Sequence, residues 1–341
     1  MSKQSKHFVA VIVALALTLG LLAGCTTGST PAAPAPSDSA PAPDPASSAP
    51  VATDTQISTK ITVADAKTTH HLNLYVAKEL GLFDNYGLDV EIVATDDNAA
   101  SRDLVVSGGA DVFWTCPTVA IAAIANGAPL KSIAQVKKPC TSVLLVPPDS
   151  PITTLADLQG KRIAGISPTC EAVISLTSAA RDAGAEFFLD RLAGGAAITA
   201  LEANAVDGAI LEEPQASIAE LAGYKVLFRE VSENIPCRTI NASDSILAAN
   251  AEQLKDFIKA IDEANAIILA DPTAPEIVQI AVAYTGAPED AIIYGNHRLH
   301  FGIPLETEGL FALADELIAL DNIKENPGDS MFAQEFKGIT W

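Results

Sequence analysis

The chain is predicted to be an α/β protein made of two similar halves, and three observations carry that prediction. Short apolar strands alternate with helical segments from about residue 60 onward. The alternation stops at the turn Pro147-Pro148-Asp149 and then begins again. The third observation is an internal echo. Gly109-Ala110-Asp111-Val112-Phe113-Trp114-Thr115-Cys116-Pro117 and Ala205-Val206-Asp207-Gly208-Ala209-Ile210-Leu211-Glu212-Glu213-Pro214 share one order. Each runs from a small residue and Asp into a buried strand, a polar turn, a Pro that opens a helix, a Gly and another strand. Two such halves suggest two lobes that face a cleft.

A strand is expected over 61–65. Leu72, Tyr75, Val76 and Leu80 then recur at helical spacing until Gly81 stops them. Residues 88–93 alternate like a strand, and 98–107 read as a helix closed by Gly108-Gly109. A strand over 110–114, a helix over 117–125 and a strand over 130–135 complete the first half, and this spacing implies a parallel sheet. In the second half, strand 141–146 precedes strand 162–166, helices 170–183 and 197–205, strand 208–211, helix 214–221 and strand 225–228. From about 250 to 320 the pattern is mostly helical.

Lys3 and Lys6 precede an apolar run over 8–22 that ends in Leu22-Ala23-Gly24-Cys25. The run is short for a membrane span and has the charged, apolar, small order of a secretory leader. It resembles a bacterial lipoprotein signal, which implies a signal peptide over 1–24, cleavage before Cys25 and lipid on that thiol. An uncleaved anchor helix is the alternative; either way the chain leaves the cytoplasm and stays tethered to the cell membrane. Residues 25–57 are rich in Pro, Ala, Ser and Thr and read as a disordered spacer. The formal net charge of −21 argues against nucleic acid and anionic headgroups as partners. It weakly suits a cationic ligand.

Leu74-Tyr75-Val76-Ala77-Lys78-Glu79-Leu80-Gly81-Leu82-Phe83, followed by Gly87-Leu88-Asp89-Val90-Glu91, is similar to a segment of the substrate-binding components of ABC importers. Ser107-Gly108-Gly109-Ala110-Asp111-Val112 and Leu155-Ala156-Asp157-Leu158-Gln159-Gly160-Lys161-Arg162 resemble two more. The branch is that of nitrate, taurine, aliphatic-sulfonate and thiamine-precursor binders. The resemblance covers roughly 60 to 320 and implies a type II periplasmic-binding-protein fold, two lobes joined by a two-strand hinge. Lobe one would hold 58–142 plus 246–341, and lobe two 143–245. It further implies a monomeric extracytoplasmic receptor that delivers a small ligand to a permease and its ATPase.

Ligands of open α/β sheets bind outside the carboxyl ends of strands. The turns expected there hold Cys116, Cys140, Cys170 and Cys237, each beside a proline, with His70, His71, Asp96, Asp97, Glu212 and Glu213. Cys170 is expected in a first helical turn behind Ser167 and Pro168, and Cys116 near an N-cap, where the helix dipole favours a thiolate. Thiolates select soft metals, and the chain resembles a cysteine version of a subgroup of these importers, proposed to handle organometals, in which cysteine or selenocysteine marks the binding protein. Anion-binding members of the branch typically offer hydroxyls, amide NH groups and sometimes Arg, where this chain offers sulfur and carboxylate. Two disulfides, apolar packing around an organic ligand, and a structural zinc remain alternatives.

His70 can add an imidazole ligand, although a solvated histidine at a helix start is the plainer reading. Of Glu212 and Glu213, one is expected in the cleft and one in solvent. Trp114 either packs on the ligand or fills the sheet. Arg238 can meet a carboxylate or sulfonate, which keeps a small organic anion or a thiamine-precursor-like heterocycle as the alternative ligand. Thiamine-pyrimidine synthases share the implied fold, but their clustered-cysteine iron motif is missing, and no nucleophile–base spacing, phosphate loop or HExxH occurs. No catalytic residue and no cofactor is therefore expected, and the protein is expected not to be an enzyme. A bound soft metal would be the ligand itself.

Overall fold

The computed structural model describes residues 58–229 and 236–339. The expected leader, Cys25 and the spacer through 57 lie outside the described residues, as does the start of the turn before Cys237. Two five-stranded sheets organise the rest.

The first sheet has the order β2-β1-β3-β10-β4, with β1 at Thr59–Asp65, β2 at Leu88–Ala94, β3 at Val112–Thr115, β4 at Leu130–Lys137 and β10 at Arg238–Ser243. The second has β7-β6-β8-β5-β9, with β5 at Val143–Val146, β6 at Arg162–Gly165, β7 at Phe188–Arg191, β8 at Gly208–Leu211 and β9 at Lys225–Arg229. The two orders correspond strand for strand, and the sequence echo falls on β3 and β8, which occupy the same place in each. Alternation explains the inward faces: Ile61 and Val63 of β1, and Val112 and Trp114 of β3, are buried.

The sheets are not purely parallel. β10 lies antiparallel between β3 and β4, and β5 lies antiparallel to both β8 and β9. Each of these strands follows a passage from one lobe to the other, so the chain enters its new sheet from the opposite end. The return to the first sheet comes at Arg238, ahead of the expected 246. Strand β7 and strand β10 were not anticipated in the sequence.

Helices cover both sheets: α1 (Leu72–Glu79), α2 (Asn98–Val106), α3 (Pro117–Ala125), α4 (Glu171–Asp182), α5 (Gly194–Glu202) and α6 (Gln215–Leu221), then α7 (Asp244–Ala270), α8 (Pro275–Thr285), α9 (Glu289–Asn296) and α10 (Thr307–Ala319). Phe83 stacks on Phe257 of α7 at 5.1 Å between ring centroids, and Trp114 meets Phe257 edge-on at 5.8 Å. These rings fix α7 against the first sheet. The peptide bonds Lys138-Pro139 and Glu213-Pro214 are cis.

The lobes touch directly. The hydroxyl of Thr68 donates to the carbonyl of Glu213 at 2.7 Å, and Arg298, just past the end of α9, pairs with Glu213 and Glu220, each at 2.8 Å. Gly295 of α9 abuts α6 so closely that a Cβ there would lie 2.7 Å from Ser217 Oγ and 2.8 Å from Glu213 Oε2. The cleft is therefore closed along this edge.

Candidate ligand site between the lobes

The four cysteines that stand far apart in sequence meet in one buried apolar cluster. Cys116 is the N-cap of α3 with Pro117 at its first helical position, because β3 ends at Thr115 and the proline starts the helix without needing an N–H partner. Cys170 is the N-cap of α4, one position earlier than the expected first turn. Cys140 lies in the outward crossing between β4 and β5, and Cys237 in the return crossing just before β10. One thiol thus comes from each lobe and one from each crossing.

Arg238 sits among them, 1% exposed. Its Nη1 donates to Cys116 Sγ at 3.1 Å, to Cys237 Sγ at 3.7 Å and to the Cys237 carbonyl at 3.1 Å. Its Nη2 donates to Glu212, which comes from the other lobe. The guanidinium divides the sulfurs into two pairs. On one side Cys116 Sγ and Cys170 Sγ are 3.6 Å apart; on the other Cys140, whose Sγ donates to Ser142 Oγ at 3.4 Å, acts on Cys237.

Charge follows this partition. Burial opposes ionisation of Cys237, but the bond from Cys140 and the charges of Lys137 and Arg238 outweigh it and hold Cys237 well below the ordinary thiol range. Cys140 is pushed well above that range, by its bond to Cys237 first and by burial second. Cys170 is pushed up likewise, by its bond with Cys116 and then by burial. The expectation that the helix dipole favours a thiolate at Cys170 is corrected: a neighbouring sulfur and desolvation defeat one helix end, and Cys237 is the thiol whose ionisation is favoured. Burial opposes ionisation of Glu212, but the Arg238 guanidinium outweighs it and holds the carboxyl below its usual value.

His70 is fully buried, not solvated as expected. It sits in the short helical turn Thr69–His71, Nε2 3.0 Å from Thr141 Oγ1, Nδ1 3.6 Å from Glu212 Oε2 and 3.9 Å from Cys237 Sγ. Burial first, and then the charge of Lys137, lower its pKa to about 4, so the ring is neutral at pH 7. Glu213 is not solvated either; it is buried, accepting from Ser217 and paired with Arg298. Trp114 is completely buried against Phe257 and His71 and belongs to the core of the first lobe.

Beside the cluster, a cavity of about 250 Å³ lies between the lobes. Lys67, Asp96, Asp97 and Asn98 line it from the first lobe, and Glu212 and Gln215 from the second. Asn98 connects cavity and cluster: its Nδ2 lies 3.8 Å from Cys116 Sγ, while its buried Oδ1 has no hydrogen-bond partner. Glu212 connects them on the other side through Arg238. Asp96, Asp97 and Glu212 against Lys67 make the lining acidic.

Among the described residues no group of three or more Cys, His, Asp or Glu side chains is arranged to hold a metal ion. The expected four-sulfur metal set of Cys116, Cys140, Cys170 and Cys237 is corrected in that respect: Arg238 Nη1 reaches two of the sulfurs, Cys116 and Cys237. The sequence reading did not single out Lys137, buried and donating to the Pro139 carbonyl at 2.8 Å, nor Asn98. Lys137 ends a strand in an ordinary Lys-Lys dipeptide, and nothing local marks it as buried.

Two mixed sheets of matching order, linked by two crossings with a cleft between, define the type II periplasmic-binding-protein fold. The NMT1/THI5 like family model matches residues 68–274, and the chain belongs to that family. Among solved structures it is similar to the alkanesulfonate-binding protein SsuA from Xanthomonas axonopodis pv. citri bound to MOPS, with a TM-score of 0.70, 19% identity and coverage of 79% of this chain and 95% of that one. The periplasmic nitrate-binding protein NrtA from Synechocystis PCC 6803 gives a TM-score of 0.68 at 16% identity, covering 82% and 87%. The 4-amino-5-hydroxymethyl-2-methylpyrimidine phosphate synthase of Aspergillus parasiticus is 26% identical over 226 residues, 61% of this chain. The chain spans 65% of the length of that synthase. The expectation that the protein is not an enzyme is overturned by this relative, which is named for a synthase reaction.

Proposed function

We propose that the protein is an extracytoplasmic, lipid-anchored solute-binding receptor of an ABC importer that captures a small thiophilic ligand between its lobes. The ligand is a soft metal cation or an organometal, bound through sulfur by the cysteines around Arg238. The observation that carries this reading is the meeting of thiols from both lobes and both crossings beside an acid-lined cavity. Cys237 is the thiol whose ionisation its surroundings favour, and the thiolate is the form that binds soft metals. Two-sulfur coordination suits linear copper(I) or a carbon-bonded mercury and needs no third ligand. The cavity, about 250 Å³, is below the ~300–1,000 Å³ of sites for drug-sized molecules, so the ligand is small. Lobe closure over it would present one face to a permease.

A small organic anion or a thiamine-precursor-like heterocycle is the second reading, favoured by the family itself. Arg238 is a weak anchor for such an anion, because Glu212 already holds its outer edge. Thermal-shift titration of the reduced protein with methylmercury, copper(I), an aliphatic sulfonate and an aminopyrimidine separates the readings. The proposal expects stabilisation by the first two, abolished in a Cys116→Ser/Cys237→Ser variant. Stabilisation by the sulfonate or the pyrimidine, unchanged in that variant, overturns it in favour of the second.

A further inference from the structure

The sulfur pair Cys116 and Cys170 has a property that ligand capture does not require. Each residue caps a helix in a different lobe, and their Sγ atoms are 3.6 Å apart across the closed cleft. A second interlobe bond runs beside them, from the Thr118 hydroxyl of α3 to the Thr169 carbonyl. The other sulfur pair is placed differently: Cys140 and Cys237 both lie on the crossings. A bond between those two would join hinge segments and leave both lobes free to swing.

The geometry points to a redox modification site at which Cys116 and Cys170 form a reversible disulfide that locks the two lobes shut. Sulfurs in van der Waals contact need about 1.5 Å of approach to reach bonding distance, within reach of a change in χ1. Both thiols are buried when the cleft is closed, so exchange begins in the open form. The oxidant is a small-molecule or protein disulfide. One cysteine, deprotonated, attacks it and releases one thiolate, which leaves a mixed disulfide on the protein. Closure brings up the second cysteine, which loses its proton, displaces the other half of the oxidant and completes the bond. Two protein thiols are oxidised, one external disulfide is reduced, and the two protons end on the two released thiols. Arg238, with Nη1 3.1 Å from Cys116 Sγ, stands where it meets negative charge on that sulfur during exchange. The reduced receptor is the one that opens; the oxidised one is held closed with two of its four clustered sulfurs withdrawn.

The test needs no ligand, so its outcome is independent of the ligand proposed above. The purified full chain is equilibrated with glutathione disulfide, the remaining thiols are blocked, and peptide mapping under non-reducing conditions reads the linkage, Cys25 being scored separately. The expected result is one intramolecular bond, Cys116–Cys170, together with a rise of about 5 °C or more in melting temperature that a dithiol reductant reverses. Cys116→Ser and Cys170→Ala each abolish both signals, while Cys140→Ser keeps them. A Cys140–Cys237 bond, stable mixed disulfides, or four unreacted thiols in the wild-type chain overturns the inference.

Discussion

Arg238 Nη1 lies 3.1 Å from Cys116 Sγ, although 122 positions separate the two residues and both are buried. The contact exists because β10 inserts antiparallel beside β3, register-pairing Thr239 with Thr115. The residue just before Thr239 therefore stands opposite the one just after Thr115. This pairing puts a permanent cation against the cysteine cluster, where it adds to the effects of Cys140 and Lys137 in lowering the Cys237 pKa.

Removing that cation should be costly. Arg238→Met leaves the carboxylate of Glu212 and the thiolate of Cys237 without their partner, a loss on the order of 3–5 kcal/mol. Adding Glu212→Gln should recover part of it, since fewer buried charges then stand alone. Urea unfolding of the two single variants and the double variant measures the coupling.

The acidity of Cys237 has its own signature. Thiolate ultraviolet absorbance should already be present at pH 7 in the reduced protein, well before an ordinary thiol near ~8.5 would contribute. Cys237→Ser removes it. Cys140→Ala, which deletes the neighbouring thiol, should move its titration upward. Absorbance that first rises near the ordinary value would show the thiolate assignment to be wrong.

His70 makes stability depend on acid. Its folded pKa, about 4, lies below the ordinary ~6.5, so between these values the unfolded chain binds a proton that the native state refuses. Stability is therefore intact above ~6.5 and falls as pH drops toward 4, by on the order of 3 kcal/mol. His70→Gln should flatten that window. An unchanged slope would place the acid sensitivity elsewhere.

Gly295 controls how closely the lobes approach. A methyl group there collides with Ser217 Oγ and Glu213 Oε2 of the opposite lobe, which hydrogen-bond each other while Glu213 Oε1 pairs with Arg298. Gly295→Ala should widen the cleft, read as a larger radius of gyration by small-angle scattering, with little loss of either lobe's own stability. Arg298→Ala should act in the same direction.

Much of the site could be read in the sequence, because each cysteine stands beside a proline at the end of a strand or the start of a helix. Proline fixes such places locally, and the fold gathers the strand ends at one cleft. What depended on distant partners was not legible. The segment Arg238–Ser243 has no clear apolar alternation and becomes a strand only through its neighbours β3 and β4. Glu213 is buried because Arg298, 85 positions away, meets it. His70 reads as a surface residue until Thr141 and Glu212 close over it. The ionisation of Cys237 likewise follows from Cys140 and Lys137, far away in sequence, and not from a helix end.

The most direct measurement is X-ray absorption at the metal edge of the reduced protein loaded with one equivalent of methylmercury or copper(I), in the presence of excess competing monothiol. Retained metal with two sulfur neighbours from the protein, lost in the Cys116→Ser/Cys237→Ser variant, is the result expected. Metal stripped by the competitor, or coordinated through nitrogen and oxygen alone, would contradict a receptor that grips its ligand by sulfur.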